Sequence, residues 1–229
     1  MTSESRLVEV RRLQKTDYST AHAHQEELVE ARIEDRVPDL LLLTEHDPVV
    51  TTGRGTEKDA TRDVSVPVVE IERGGEATYH GPGQLVVYPV MKLEEGRRDL
   101  HRYLRDLEEV VIRLLGEFEI EGHRDARGTG VWVGDKKIAS VGVAVRRWVT
   151  WHGFALNVHT DLGAFESFNP CGLPSATMTR LVDHVDMGPG LMLAEVLTVK
   201  HFCEVFEREL PPPAAPPPVS GFPELPLLQ

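Results

Sequence analysis

The sequence predicts an α/β fold of the layered α+β kind, a mixed, largely antiparallel sheet with helices packed on it. Three observations predict this. Candidate strands come in groups with helical patterns between them, not in strict β–α alternation, which argues against a doubly wound parallel sheet. The run Leu40 to Thr44 is apolar until its last residue, the pattern of a strand buried on both faces. Residues 129–158 alternate around two turns, as an antiparallel meander does. At 229 residues the chain is long enough to bury a core without disulfides.

The elements follow in order. Residues 6–13 alternate through Leu7, Val8, Val10 and Leu13 and read as a short strand. Asp17 is placed to cap a helix from Tyr18 to about Glu34, whose inner face carries Ala21, Gln25, Leu28, Val29 and Ile33. Pro48 ends the Leu40 strand, Gly53-Arg54-Gly55 marks a loop, and Val66 to Ile71 reads as a strand. The stretch Arg73 to Gln84 is dense in glycine and polar groups and reads as an exposed, turning connection. Leu85 to Met91 is a strand. Asp99 caps an amphipathic helix to about Phe118, with Leu100, Tyr103, Leu104, Leu107, Val110, Val111, Leu114 and Leu115 inward. Gly134-Asp135 turns a hairpin between Val131-Trp132-Val133 and Lys137 to Val145, and Arg146-Arg147 turns the chain into Val149 to Val158. A last helix runs from Leu191 to Leu210, where Pro211 stops it. Residues 1–210 thus form one domain. Residues 211–229 are a proline-rich tail, expected to be extended and loosely held.

Composition narrows the function classes. A net charge of −12 argues against general nucleic-acid binding, which needs phosphates neutralised. No apolar run is long enough to span a membrane, and none follows the first basic residue, so neither a membrane anchor nor a signal peptide is expected. Cys171 and Cys203 are expected to be free thiols of a cytoplasmic protein. His152 with His159, and His46 beside Asp47, lack metal-ligand spacing, so no metal is expected.

Two segments carry chemistry. In Asn169-Pro170-Cys171-Gly172 a thiol sits on a loop between a residue that fixes the backbone and one that frees it. Most free cysteines are small core residues, but a loop position favours a reactive one. The glycine after the thiol would let a substrate carbonyl approach its N–H. A thiol nucleophile needs a base or a positive charge nearby, and Lys137 enters an apolar strand in Lys136-Lys137-Ile138-Ala139-Ser140-Val141-Gly142. Neutral, it takes the thiol proton; charged, it stabilises the thiolate. Strand alternation puts Lys136 and Lys137 on opposite faces, so one of them faces the site. The Arg73–Gln84 stretch has neither Walker nor dinucleotide spacing and fits better as a glycine-rich wall for a thin acyl chain. His80 is its one histidine, suited either to orienting the substrate or thiol or to a structural hydrogen bond.

Taken together, Arg73-Gly74-Gly75-x-x-Thr78-Tyr79-His80-x-x-x-Gln84-x-x-x-Tyr88, the Lys137–Gly142 segment with Thr150-x-His152-Gly153-Phe154-Ala155-Leu156-Asn157-Val158, and Asn169-Pro170-Cys171-Gly172 resemble the lipoyl(octanoyl) transferase family. The resemblance covers roughly residues 6–210. It implies an α/β fold shared with lipoate and biotin protein ligases, and residues 1–210 as the catalytic domain. It implies transfer of octanoyl from octanoyl-acyl carrier protein, through a thioester on Cys171, to a lysine ε-amine of lipoyl domains. These acceptor domains belong to 2-oxoacid dehydrogenases and the glycine cleavage H-type protein. Lys137 would be the dyad partner of Cys171. Arg73, Gly74, Gly75, Glu76, Ala77, Thr78, Tyr79 and His80, with Ser140, Val141, Gly142, Gly153, Phe154 and Ala155, would line the substrate site. No cofactor or metal is implied, since the thioester already carries the activation. Oxyanion donors are expected from the backbone of Gly172 and of Ser140–Gly142, and an apolar slot from Val141, Phe154 and Leu156. Both partners would be acidic, so Arg97-Arg98 with Arg102 and Arg105, or Arg146-Arg147, are candidate docks. Leu173 to Leu181 follows the family pattern loosely, with Arg180 in place of a small polar residue. The rival readings are an amidotransferase moving octanoyl or lipoyl between lipoyl-bearing proteins, and a non-catalytic binder of carrier or lipoyl domains.

Overall fold

Leu40, Leu41, Leu42 and Leu43 are all buried, and their alternation explains the architecture. Leu41 and Leu43 enter one core with helices α2 (Leu100–Gly116) and α3 (Leu191–Phe206), whereas Leu40 and Leu42 enter another with Leu28 and Val29 of α1 (Tyr18–Ile33). The sheet is therefore the middle of three layers. The computed structural model describes residues 6–57 and 59–212. From residue 213 on, the proline-rich tail lies outside the described residues.

The main sheet has seven strands. Their ranges are β1 Val8–Thr16, β2 Asp39–His46, β6 Gln84–Val90, β7 Gly122–Asp125, β8 Gly128–Val133, β9 Lys136–Arg146 and β10 Val149–Asn157. They lie in the order β1-β2-β6-β10-β9-β8-β7. Only β1 and β2 run parallel, joined by α1 as a parallel pair requires; every other pair is antiparallel. β3 (Val49–Thr52), β4 (Val68–Glu70) and β5 (Thr78–His80) form a second, three-stranded sheet.

Caps act where the sequence placed them. The carboxylate of Asp17 accepts from the N–H of Thr20 at 2.9 Å and that of Asp99 from the N–H of Arg102 at 3.0 Å. Four expectations need correction. α3 stops at Phe206, because Glu207 turns left-handed (φ +53°) and caps the helix, so Pro211 is not its terminator. Leu100 is 38% exposed, because it is the first residue past the cap and burial begins with Tyr103. β7 was not expected; its residues Gly-His-Arg-Asp carry no apolar alternation. Finally, Thr78–His80 is a buried strand paired with β3, not an exposed turn. The segment that follows α3 is anchored by Arg208, whose guanidinium donates to buried Asp39 at 3.1 Å.

Candidate active site

Lys137 is the largest polar side chain that is fully buried, at 1% exposure. One extra residue of β9 opposes β8 between the pairs Val131↔Ala139 and Trp132↔Lys137. This bulge shifts the alternation by one, so Lys137 and Ser140, three apart, line the same cavity while Lys136 is exposed. The lysine needs a glycine at 130, while Gly128 only comes within ordinary contact distance. A Cβ on Gly130 (φ +142°) would lie 2.7 Å from the Lys137 Cε, and one on Gly128 would lie 3.5 Å from Nζ. Nζ sits 5.9 Å from the Trp132 ring centroid. Among the described residues no carboxylate lies within 4.0 Å of it. The main chain of Lys137 is tied to the segment after the cysteine loop, its carbonyl accepting from the Thr179 N–H at 3.0 Å.

Cys171 is presented by a single 3-10 turn, Pro170–Gly172, in which the cysteine itself is left-handed (φ 55°, ψ 32°). Such a conformation in a non-glycine residue is uncommon and is held here by hydrogen bonds on both sides. The Cys171 N–H donates to the Ala77 carbonyl at 2.8 Å and the Gly172 N–H to the Asn169 carbonyl at 3.1 Å. The Gly172 N–H is thus already engaged and is not a free oxyanion donor. Instead, the glycine provides room: a Cβ there would lie 2.2 Å from a carboxylate oxygen of Glu76. The Sγ of Cys171 lies 3.6 Å from the Ser140 Oγ.

Cys171, Lys137 and Ser140 share a cavity of about 370 Å³, within the range of small-molecule sites. Of the substrate-site candidates, Arg73, Gly74, Gly75, Glu76, Thr78, His80, Ser140, Val141, Gly142, Gly153, Phe154 and Ala155 line it. Ala77 and Tyr79 do not. Ala77 holds the cysteine backbone instead, and Tyr79 points away, packing edge-on against Phe165. Leu156 belongs to the core behind the sheet, so the apolar slot is made by Val141 and Phe154 with Val86, Ile71 and Val143. Tyr18, Tyr88, Arg127 and His152 also line the cavity. Tyr88 and His152 stood in the motifs quoted above; Tyr18 opens the segment Tyr18–Gln25, a weaker part of the same resemblance, whereas Arg127 was not singled out.

The polar groups of the wall are fixed. Arg73 is buried, donating to the Thr51 carbonyl at 3.0 Å and the Gly74 carbonyl at 3.1 Å. Burial lowers its pKa, while the neighbouring Cys171 thiol raises it. His80 is pushed down to about 3 by burial, with His46 and Arg73 adding to the effect, so it is neutral. Its tautomer follows from its neighbours. The amide of Gln84 donates to the Tyr79 carbonyl and to Asn157, so its oxygen accepts from His80 Nδ1–H at 2.8 Å. His80 is therefore a structural hydrogen-bonder whose Nε2 is left as an acceptor near Thr51.

His46 is engaged through both nitrogens, with the Thr16 carbonyl and the Tyr88 hydroxyl each at 2.7 Å. His152 contrasts with it. At 2% exposure, neither of its ring nitrogens has a hydrogen-bond partner, and burial pushes it down to about 3. It sits where β10 leaves β6, opposite Pro89, which has no N–H to pair. There its backbone turns left-handed and its N–H donates to Gln25 at 3.0 Å. Its ring faces His22 and Glu72, and among the described residues these three make the one histidine–acid group with metal-like spacing. Spacing along the chain does not register a cluster drawn from residues 22, 72 and 152.

Most of the candidate docking arginines are exposed but paired with carboxylates of this chain. Arg97 pairs with Glu207, Arg102 with Asp106, Arg105 with Glu108, and Arg146 with Glu30. Arg98 lies over Trp148. Arg180 pairs with Asp183 and donates to the Thr160 carbonyl.

A three-layer α/β domain with one thiol, one buried lysine and an acyl-sized cavity defines a group-transferring catalytic domain. The model of the lipoyl protein ligase A/B catalytic domain matches residues 17–210, and the chain belongs to that family. An octanoyltransferase of Geobacter metallireducens is 49% identical, over 75% of this chain and 81% of that protein. One of Gloeobacter violaceus is 48% identical, over 86% and 89%. Among solved structures, a bipartite lipoate protein ligase from Thermoplasma acidophilum aligns with a TM-score of 0.69 at 19% identity, over 90% of this chain and 86% of that one. A biotin protein ligase from Aquifex aeolicus aligns at 0.55 and 15%, over 88% and 69%. Those two likenesses establish the fold, as the sequence resemblance led one to expect. No helix among the described residues is long and apolar enough to cross a membrane.

Proposed function

We propose that this chain moves an octanoyl group from octanoyl-acyl carrier protein to a lysine ε-amine of a lipoyl domain, by way of a thioester on Cys171. The observation that carries this reading is the convergence of Cys171, Ser140 and buried Lys137 on one cavity with an apolar slot. In the first step neutral Lys137 takes the Cys171 proton, and the thiolate attacks the carrier thioester. The tetrahedral intermediate collapses with loss of the pantetheine thiolate, which takes the proton back from Lys137. In the second step the acceptor amine attacks the enzyme thioester, Lys137 accepts the amine proton, and the Cys171 thiolate leaves. The Lys137 ammonium and the Ser140 hydroxyl, the latter 3.6 Å from the Cys171 Sγ, are the donors we assign to the developing oxyanion, in place of the engaged Gly172 N–H. The octanoyltransferase relatives support the octanoyl group, and the Thermoplasma ligase, solved as part of a lipoylation system with its E2 lipoyl domain, supports a lipoyl-domain acceptor.

Intact mass after mixing with octanoyl-acyl carrier protein tests this. Wild type should gain one hydroxylamine-labile octanoyl group, Cys171→Ala none, and Lys137→Ala the same group slowly. No adduct on wild type, with the carrier protein still bound, would reject the carrier as donor.

A further inference from the structure

We infer that His152, His22 and Glu72 form a binding site for a divalent transition-metal ion of the Zn²⁺ or Co²⁺ class, beside the acyl cavity that His152 lines. The donor atoms of the three lie within 4.8 Å of one another, with His22 Nε2 and Glu72 Oε2 already 3.2 Å apart. Ligands about 2.0–2.1 Å from a tetrahedral ion stand roughly 3.3 Å apart. One distance therefore fits as it stands. The second, 3.9 Å from His152 Nε2 to Glu72 Oε2, needs only a small turn of the half-exposed Glu72 side chain, and the third, between the two imidazoles, lies within 4.8 Å.

The independent observation is His152. A buried imidazole with two unpartnered nitrogens is costly and calls for an explanation, and His46, whose ring lies 5.2 Å from that of Tyr18, shows how this fold satisfies such a ring when it is purely structural. Two nitrogens and a carboxylate are the donors that borderline divalent ions select. The outer shell is present in part, since His152 Nδ1 has no partner among the described residues. His22 Nδ1 lies 3.9 Å from Glu26, and Arg54 donates to the Glu72 carbonyl at 2.8 Å, which holds that backbone in place. Each ligand comes from a different element: α1, the segment after β4, and the break in β10.

Calorimetry with Zn²⁺, and the visible spectrum with Co²⁺, on tag-free protein carrying Cys171→Ser and Cys203→Ser would test the site without thiolate ligands. One ion per chain is expected. Losing an outer-shell partner already weakens metal sites by roughly tenfold to a hundredfold, so His22→Ala and Glu72→Ala should each weaken binding at least as much. Both positions are accessible enough for the variants to fold, which circular dichroism verifies. Absence of stoichiometric binding, or an affinity that neither variant changes, would overturn the inference.

Discussion

At the scale of single residues, the cysteine turn depends on what Gly172 lacks. Its φ of +70° costs a residue with a side chain about 1–2 kcal/mol, and a Cβ would also meet the Glu76 carboxylate at 2.2 Å. Gly172→Ala should therefore slow formation of the Cys171 thioester by about tenfold or more. The exposed Glu76 side chain can swing aside, so adding Glu76→Ala should recover the steric part of the loss but not the conformational part. Single-turnover mass spectrometry measures both, and an unchanged rate in Gly172→Ala would show that the turn tolerates a side chain. Pro170-Cys171-Gly172 was legible in the sequence as a special turn because both flanking residue types have backbone consequences. The reason given for the glycine was wrong, since the position of Glu76 depends on tertiary structure. His152 stood within a motif and was weighed as a metal ligand only beside His159, because nothing local shows that its nitrogens lack partners or that His22 and Glu72 lie near it.

At the scale of elements, the bulge in β9 selects Lys137 over Lys136, and a buried carboxylate on α2 supports that bulge. Glu108, fully buried, accepts from the Gly130 N–H at 2.9 Å and from Arg105 and Arg124. Removing one partner of a buried ion pair can cost 3–5 kcal/mol. Here both arginines are substantially exposed, at 57% and 35%, and recover hydration when released. The orphaned Gly130 N–H then sets the cost, so Glu108→Ala should lose about 1–3 kcal/mol in urea unfolding. Glu108→Gln, which keeps an acceptor for Gly130, should lose less. If the two variants lose equally, the backbone bond is not the important one. Because Gly130 faces Ser140 and packs on the Lys137 stem, Glu108→Ala should also slow acylation. Most elements could be read from the sequence, since apolar periodicity marks α2 and a continuous apolar run marks β2. β5 and β7 could not, because a three-residue strand and Gly-His-Arg-Asp have no period to read and exist only through their pairing partners.

For the molecule as a whole, two opposing electrostatic effects meet on acidification. The chain carries a net charge of −12 at neutral pH, and protonation relieves that self-repulsion, which favours folding. Against it stand His80 and His152, both held down to about 3 by burial. Folded, they stay neutral; unfolded, each takes up a proton near pH 6.5. The unfolded state therefore binds more protons between about 6.5 and about 3. Stability is full above pH 6.5 and is lost as pH falls through that window, at up to about 1.4 kcal/mol per pH unit for each ring. Two rings give up to about 2.8 kcal/mol per unit, and His46, lowered in the same direction, adds to this. Net-charge repulsion between exposed groups spaced beyond a Debye length is mostly screened by salt, whereas buried rings are not. The histidines should therefore prevail in salt. Urea unfolding from pH 8 to pH 4.5, at low and at high ionic strength, should show stability falling below pH 6.5, before most carboxylates titrate, and more steeply at high salt. His80→Gln should flatten the slope by about one ring's share. A stability that stays level between pH 7 and pH 5 in high salt would mean that these rings are protonated, and hydrated, in the folded protein.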